Sequence, residues 1–158
     1  MVMGYQEKSI NELEDVMNKW LALVSVVVLA VLVTWVSFAQ QGVVMTDSGL
    51  AYEDVEIGTG ATAEVGKIAV IHLTGWLDDQ GQKGEKFICS RDLGEPVSFK
   101  LGTKRVMQGW NIGVDGMKVG GKRTLMIPSA LAYGAKGVDD VVPPNADLIF
   151  DVELLDVK

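Results

Sequence analysis

The chain has 158 residues, 48% of them hydrophobic, and a formal net charge of −7, which is room for one ordinary domain and some extra. An acidic balance gives no footprint for nucleic acid and favours solubility. One cysteine, Cys89, and one histidine, His72, exclude an intrachain disulfide, Cys-based or multi-His metal sites and most His-centred catalysis.

Residues 1–19 form a polar lead. Ser9-Ile10-Asn11-Glu12 matches a capping box, in which hydroxyl and carboxylate each satisfy a free N–H at a helix start. Ile10, Leu13, Met17 and Trp20 then recur at helical spacing, as the first turns of one long helix. Trp20 to Ala39 carries no charge and is mostly Leu, Val and Ala. About 20 such residues at roughly 1.5 Å each cross the hydrocarbon core of a bilayer. Trp20 stands at one end, with Trp35 and Phe38 near the other, as interface aromatics do. A cleaved signal peptide ending at Ser37-Phe38-Ala39 is the rival reading. The long apolar run and the acidic residues before it favour an uncut anchor. Lys8 and Lys19 precede the span and no Lys or Arg follows until Lys67, which keeps the N-terminus cytoplasmic and places the rest in the periplasm or an equivalent outside space.

From Gln40 the composition shifts to Gly and short alternating runs. Residues 40–48 read as a linker and residues 49–158 as the globular domain. Strands are expected over Leu50–Ile57, Lys67–Leu77, Lys122–Pro128 and Asp147–Val157. In the last, Leu148, Phe150, Val152 and Leu154 share one face and Asp151 and Glu153 the other. Val106, Trp110, Val114 and Met117 have helical spacing, with Gly109 and Gly113 keeping that helix short. Asp79-Gln80-Gly81, Val119-Gly120-Gly121 and Pro143-Pro144-Asn145 are turn signals. The expected fold class is α+β, a curved antiparallel sheet wrapped around one short helix, preceded by a single N-terminal transmembrane helix.

Five segments in order carry a family pattern: Ile71-His72-Leu73-Thr74-Gly75, Phe87-Ile88-Cys89-Ser90-Arg91, Val106-Met107-Gln108-Gly109-Trp110, Leu131-Ala132-Tyr133-Gly134 and Val142 through Phe150. Over roughly Thr46 to Lys158 the chain resembles the FKBP-type peptidyl-prolyl cis-trans isomerases. The resemblance implies an apolar pocket between sheet and helix that takes proline-containing polypeptides. Trp110 would be its floor. Phe87, Phe99, Val106, Met107 and Phe150 would be its walls, and Val97 stands where another aromatic is common. Tyr133 would offer its hydroxyl to a substrate carbonyl, and Val141 and Val142 lie on the loop overhanging the pocket. Such a site needs neither metal nor cofactor. Without the motif order each of these aromatics would read as core. His72 reads as a surface or strand-edge residue, Cys89 as a small buried filler, and residues 78–86 as a surface insertion longer than in many relatives.

Two pocket positions depart from the family, which commonly has Tyr where Leu73 stands and Asp where Ile88 stands. In relatives that pair is hydrogen-bonded beside the substrate carbonyl. Losing both partners can be nearly neutral for the fold, whereas losing one strands a buried polar group at about 1–3 kcal/mol. Two functional readings follow. One is a membrane-tethered prolyl isomerase and folding helper. The other is a weakly catalytic binding module, docked as an accessory subunit of a larger membrane complex.

Overall fold

The computed structural model describes residues 42–158. The polar lead, its capping box and the apolar segment 20–39 lie outside the described residues. Among the described residues no helix is long and apolar enough to cross a membrane.

Seven described strands form one antiparallel sheet. They are β1 (Val44–Met45), β2 (Ala51–Glu56), β3 (Ile68–Asp79), β4 (Gln82–Cys89), β5 (Val97–Lys100), β6 (Lys122–Ile127) and β7 (Leu148–Val157). The order is β1-β2-β6-β7-β3-β4, with β5 also pairing β3. Alternation sets the inner face, as strand geometry requires. Ala69, Ile71 and Leu73 of β3 and Leu148, Phe150, Val152 and Leu154 of β7 are buried in one core.

Helix α1 (Gln108–Val114) is two turns long. It lies against β6 through two glycines one turn apart. A Cβ on Gly109 would stand 2.4 Å from Ile127 Cγ2, and one on Gly113 2.6 Å from Leu125 Cδ1. Gly109 and Gly113 are therefore the contact face that lets the helix approach the sheet. The helix stops at Val114, short of the expected Met117. There the buried Arg123 guanidinium donates to the Gly113 carbonyl at 2.9 Å, as cations do at helix C-termini. Arg123 also forms a fork on Asp54, with Nε to Oδ1 at 2.6 Å and Nη2 to Oδ2 at 3.0 Å, and lies 4.0 Å from the centre of the Tyr52 ring. One side chain thus ties β2, β6 and α1 together.

Three stretches differ from expectation. Val44–Met45, within the expected linker, pairs with β2 at Ala51 and Tyr52. Val97–Lys100 forms β5 against Ile68–Ile71 of β3. Residues 78–86 are the end of a hairpin: β3 and β4 run on to a two-residue turn at Gln80 and Gly81, inside the expected turn signal, with φ of 54° and 84°. Positive φ at both central residues matches the right-handed strand twist. Lys83 folds back over the outer face, 2.6 Å from Asp151 Oδ2 and 4.6 Å from the Trp76 ring centre.

Candidate active site

Strand β3 changes partner along one edge, from β5 over Ile68–Ile71 to β4 from Thr74 onward. His72 and Leu73 fall in the gap, where a ladder leaves backbone groups unpaired. Ser90, fully buried, closes it. Its N–H donates to the Leu73 carbonyl at 2.9 Å, and the Leu73 N–H donates to Ser90 Oγ at 3.0 Å. His72 Nδ1 lies 2.9 Å from the same hydroxyl, so His72 is half-buried and engaged in structure. Cys89 is also half-buried, and a hydrogen bond from the Thr74 hydroxyl, first among several, draws its thiol below the usual value.

The ladder between β3 and β4 slips twice, between Gly75 and Trp76 and between Trp76 and Asp78. Such bulges re-aim side chains. Here consecutive residues Phe87 and Ile88 both reach the inner side of Gly75. A Cβ on Gly75 would meet Phe150 Cε1 at 2.5 Å, Ile88 Cγ2 at 2.8 Å and Phe87 Cζ at 2.9 Å. Gly75 therefore makes the space in which these side chains meet.

Four rings from four elements form a continuous cluster. Phe99 of β5 and Trp110 of α1 are 5.7 Å apart, tilted by 42°. Trp110 and Phe150 of β7 are 5.6 Å apart at 88°, and Phe150 and Phe87 of β4 are 5.7 Å apart at 86°. Edge-to-face pairs of this kind add about 0.5–1.5 kcal/mol each beyond burial. Phe150 is fully buried and Phe99 nearly so, while Trp110 and Phe87 are half-buried. The accessible surface of the cluster is thus the Trp110 indole and the Phe87 ring. Trp110 Nε1 is itself buried without a hydrogen-bond partner among the described residues.

Around the rings, Ile88, Val97, Val106 and Met107 are half-buried and pack on the same core. Leu73 and Val142 are buried at 2% and 3% exposure, so they back the site from within. Val141 is exposed, on a short 3-10 turn at Asp139–Val141. Tyr133 follows another such turn, Ser129–Leu131, and makes no ring contact with the four aromatics. Partial burial raises its phenol above the usual tyrosine value, so it remains a donor at neutral pH. No described residue accepts from its hydroxyl. Sequence reasoning assigned no role to Gly75 or Ser90, although both lie inside quoted motifs. Small residues leave no periodic signal.

An antiparallel sheet curled on one short helix, with an apolar aromatic cluster where they meet, is the architecture of a peptide-binding isomerase pocket. Residues 59–155 match the family described as FKBP-type peptidyl-prolyl cis-trans isomerase. The chain belongs to that family of peptidyl-prolyl cis-trans isomerases. It is 49% identical over 109 residues to an FK506-binding protein of Neisseria meningitidis serogroup B, covering 69% of this chain and 96% of that one. It is 54% identical over 88 residues to the peptidyl-prolyl cis-trans isomerase FPR2 of Saccharomyces cerevisiae, covering 56% and 63% of the two chains. The solved structure of FkpA from Escherichia coli superposes with a TM-score of 0.67 at 44% identity, over 75% of this chain and 53% of that one.

Proposed function

We propose that the chain accelerates X–Pro rotation by taking the proline ring onto the half-buried indole of Trp110, and that Trp20 to Ala39 tethers it to a membrane. The observation that carries the catalytic part is the ring cluster, which is closed behind Trp110 by the buried Phe150 and Phe99. The uncatalysed barrier is about 18–20 kcal/mol, because the planar amide is held by resonance. Twisting removes that resonance and reduces charge separation. A dry, apolar site therefore favours the twisted form over the planar one, with no nucleophile or metal. Phe87, Val97, Val106 and Met107 serve as walls, with Phe99, Phe150, Leu73 and Val142 packed behind. Tyr133 donates to the rotated carbonyl, which fits its hydroxyl better than the planar carbonyl does.

The tether rests on sequence. An uncharged, 20-residue apolar segment preceded by Lys8 and Lys19, with no Lys or Arg after it until Lys67, supports a single pass with the domain outside the cytoplasm. An isomerisation assay on proline peptides with the full chain in mild detergent tests the catalytic part. In sealed vesicles with the cytoplasmic face inside, added protease digests the domain if the topology is right. Protection of the domain overturns it.

Leu73 and Ile88 favour a second reading, a binding module in a membrane complex, because they leave the pocket without a polar orienting pair. Co-purification with other subunits, lost when segment 20–39 is exchanged for an unrelated span, supports that reading.

A further inference from the structure

Beside the aromatic cluster lies a cleft of about 430 Å³ between the β3–β4 hairpin and the loop that runs from Lys136 to Pro144. Its lining is mixed: Leu77, Val138, Val141 and Pro143 are apolar, while Glu85, Asp139 and Asp140 face it with one cation among the described residues, Lys136. The cleft shares its backing with the ring cluster. Leu77 and Val142 pack into the same core as Phe87 and Phe150, and Glu85 is two residues from Phe87 on β4.

A second groove, of about 290 Å³ on the outer face of the sheet, makes a useful contrast. Its carboxylates are occupied: Asp151 by Lys83 and Thr124, and Glu153 by Arg91. Among the described residues no ion pair engages Glu85, Asp139 or Asp140. The loop bearing the two aspartates is closed on itself, with Val138 and Val142 exchanging backbone hydrogen bonds at 2.9 and 2.8 Å. That closure fixes the backbone that carries Asp139 and Asp140 beside the cleft.

We propose that this cleft is a subsite for a Lys or Arg side chain flanking the proline of the substrate polypeptide. A lining that mixes apolar residues with three carboxylates suits a side chain whose methylene stem is apolar and whose tip is cationic. Acidic or purely apolar flanking residues leave the carboxylates unpaired and gain less. The proposal rests on the neighbouring ring cluster being the proline site.

The test uses the full chain in mild detergent and peptides with Lys, Ala or Glu scanned over the two positions on each side of one proline. At one position Lys is expected to raise kcat/KM over Ala by about three- to tenfold, the scale of a few exposed charge pairs. The ratio falls toward one in 0.5 M salt and in the triple variant Glu85→Gln, Asp139→Asn, Asp140→Asn. Anisotropy titration of the same labelled peptides reads the cleft separately. If no peptide is turned over but Lys peptides still bind tighter and the variant loses that preference, the cleft assignment stands and the isomerase reading fails. A Lys-to-Ala ratio near one at every position, in turnover and in binding, overturns the proposal. So does a preference that survives the triple variant.

Discussion

Trp110 and Phe150 meet edge to face, 5.6 Å apart at 88°, and the second ring is fully buried behind the first. Phe150 holds the indole in place, and Gly75 leaves room for it, its absent Cβ lying 2.5 Å from the Phe150 edge. Phe150→Leu removes both ring contacts. It should cost about 1–3 kcal/mol by urea unfolding and lower kcat/KM more than it changes KM, since the floor tilts while the walls remain.

Tyr133→Phe should leave thermal stability within about 0.5 kcal/mol, because no described residue bonds to the hydroxyl. Turnover should fall several-fold if that hydroxyl meets the rotated carbonyl. The pH dependence has a definite sign. Burial raises the folded-state value of Tyr133, so the protonated phenol is the favoured form in the fold. Its contribution is complete below the ordinary tyrosine value of about 10 and is lost as pH rises through the higher folded value. A plot of kcat/KM should therefore stay flat through pH 9 and decline only in the alkaline range. In Tyr133→Phe that decline should vanish.

Leu73 and Ile88 allow a double-mutant cycle. Leu73 is buried and Ile88 sits opposite Gly75 in the β3–β4 register. Leu73→Tyr and Ile88→Asp each place an unmatched polar group at the core, costing about 1–3 kcal/mol by denaturant titration. Together they should cost less than the sum of the two. The double variant should also turn over faster than either single one, which isomerisation kinetics can read.

Arg123 and Asp54 should be coupled more strongly. Asp54→Ala leaves a buried guanidinium with only carbonyls and the Tyr52 ring as partners, at about 3–5 kcal/mol. Arg123→Met with Asp54→Leu should recover much of that loss in thermal melts. The residual deficit reports the Gly113 carbonyl at the end of α1, which no longer has its donor.

The strongest strand signal in the chain was alternation, and β7 shows why: Leu148, Phe150, Val152 and Leu154 turn inward without interruption. β2 and β6 were legible in the same way, and α1 through its spacing of Val106, Trp110 and Val114. β4 was not. Two bulges break its alternation, and Gln82 to Lys86 contains no apolar residue. β1 and β5 are only two and four residues long, too short for a period to show. At the site, the rings were named from motif order, but their mutual geometry depends on Gly75 and on the bulge at Phe87. The bridging of Leu73 by Ser90 depends on where β3 changes partners, and that is a property of the whole sheet rather than of any local run.

Trp110 as the floor of the proline site is tested most directly by the rate of X–Pro isomerisation by the full chain beside its Trp110→Leu variant, with folding of the variant checked by circular dichroism. Acceleration well above the spontaneous rate is expected for the native chain, with a loss of at least about tenfold in the folded variant, equivalent to roughly 1.4 kcal/mol of transition-state stabilisation. A folded Trp110→Leu variant that isomerises proline peptides as fast as the native chain would contradict that role for Trp110.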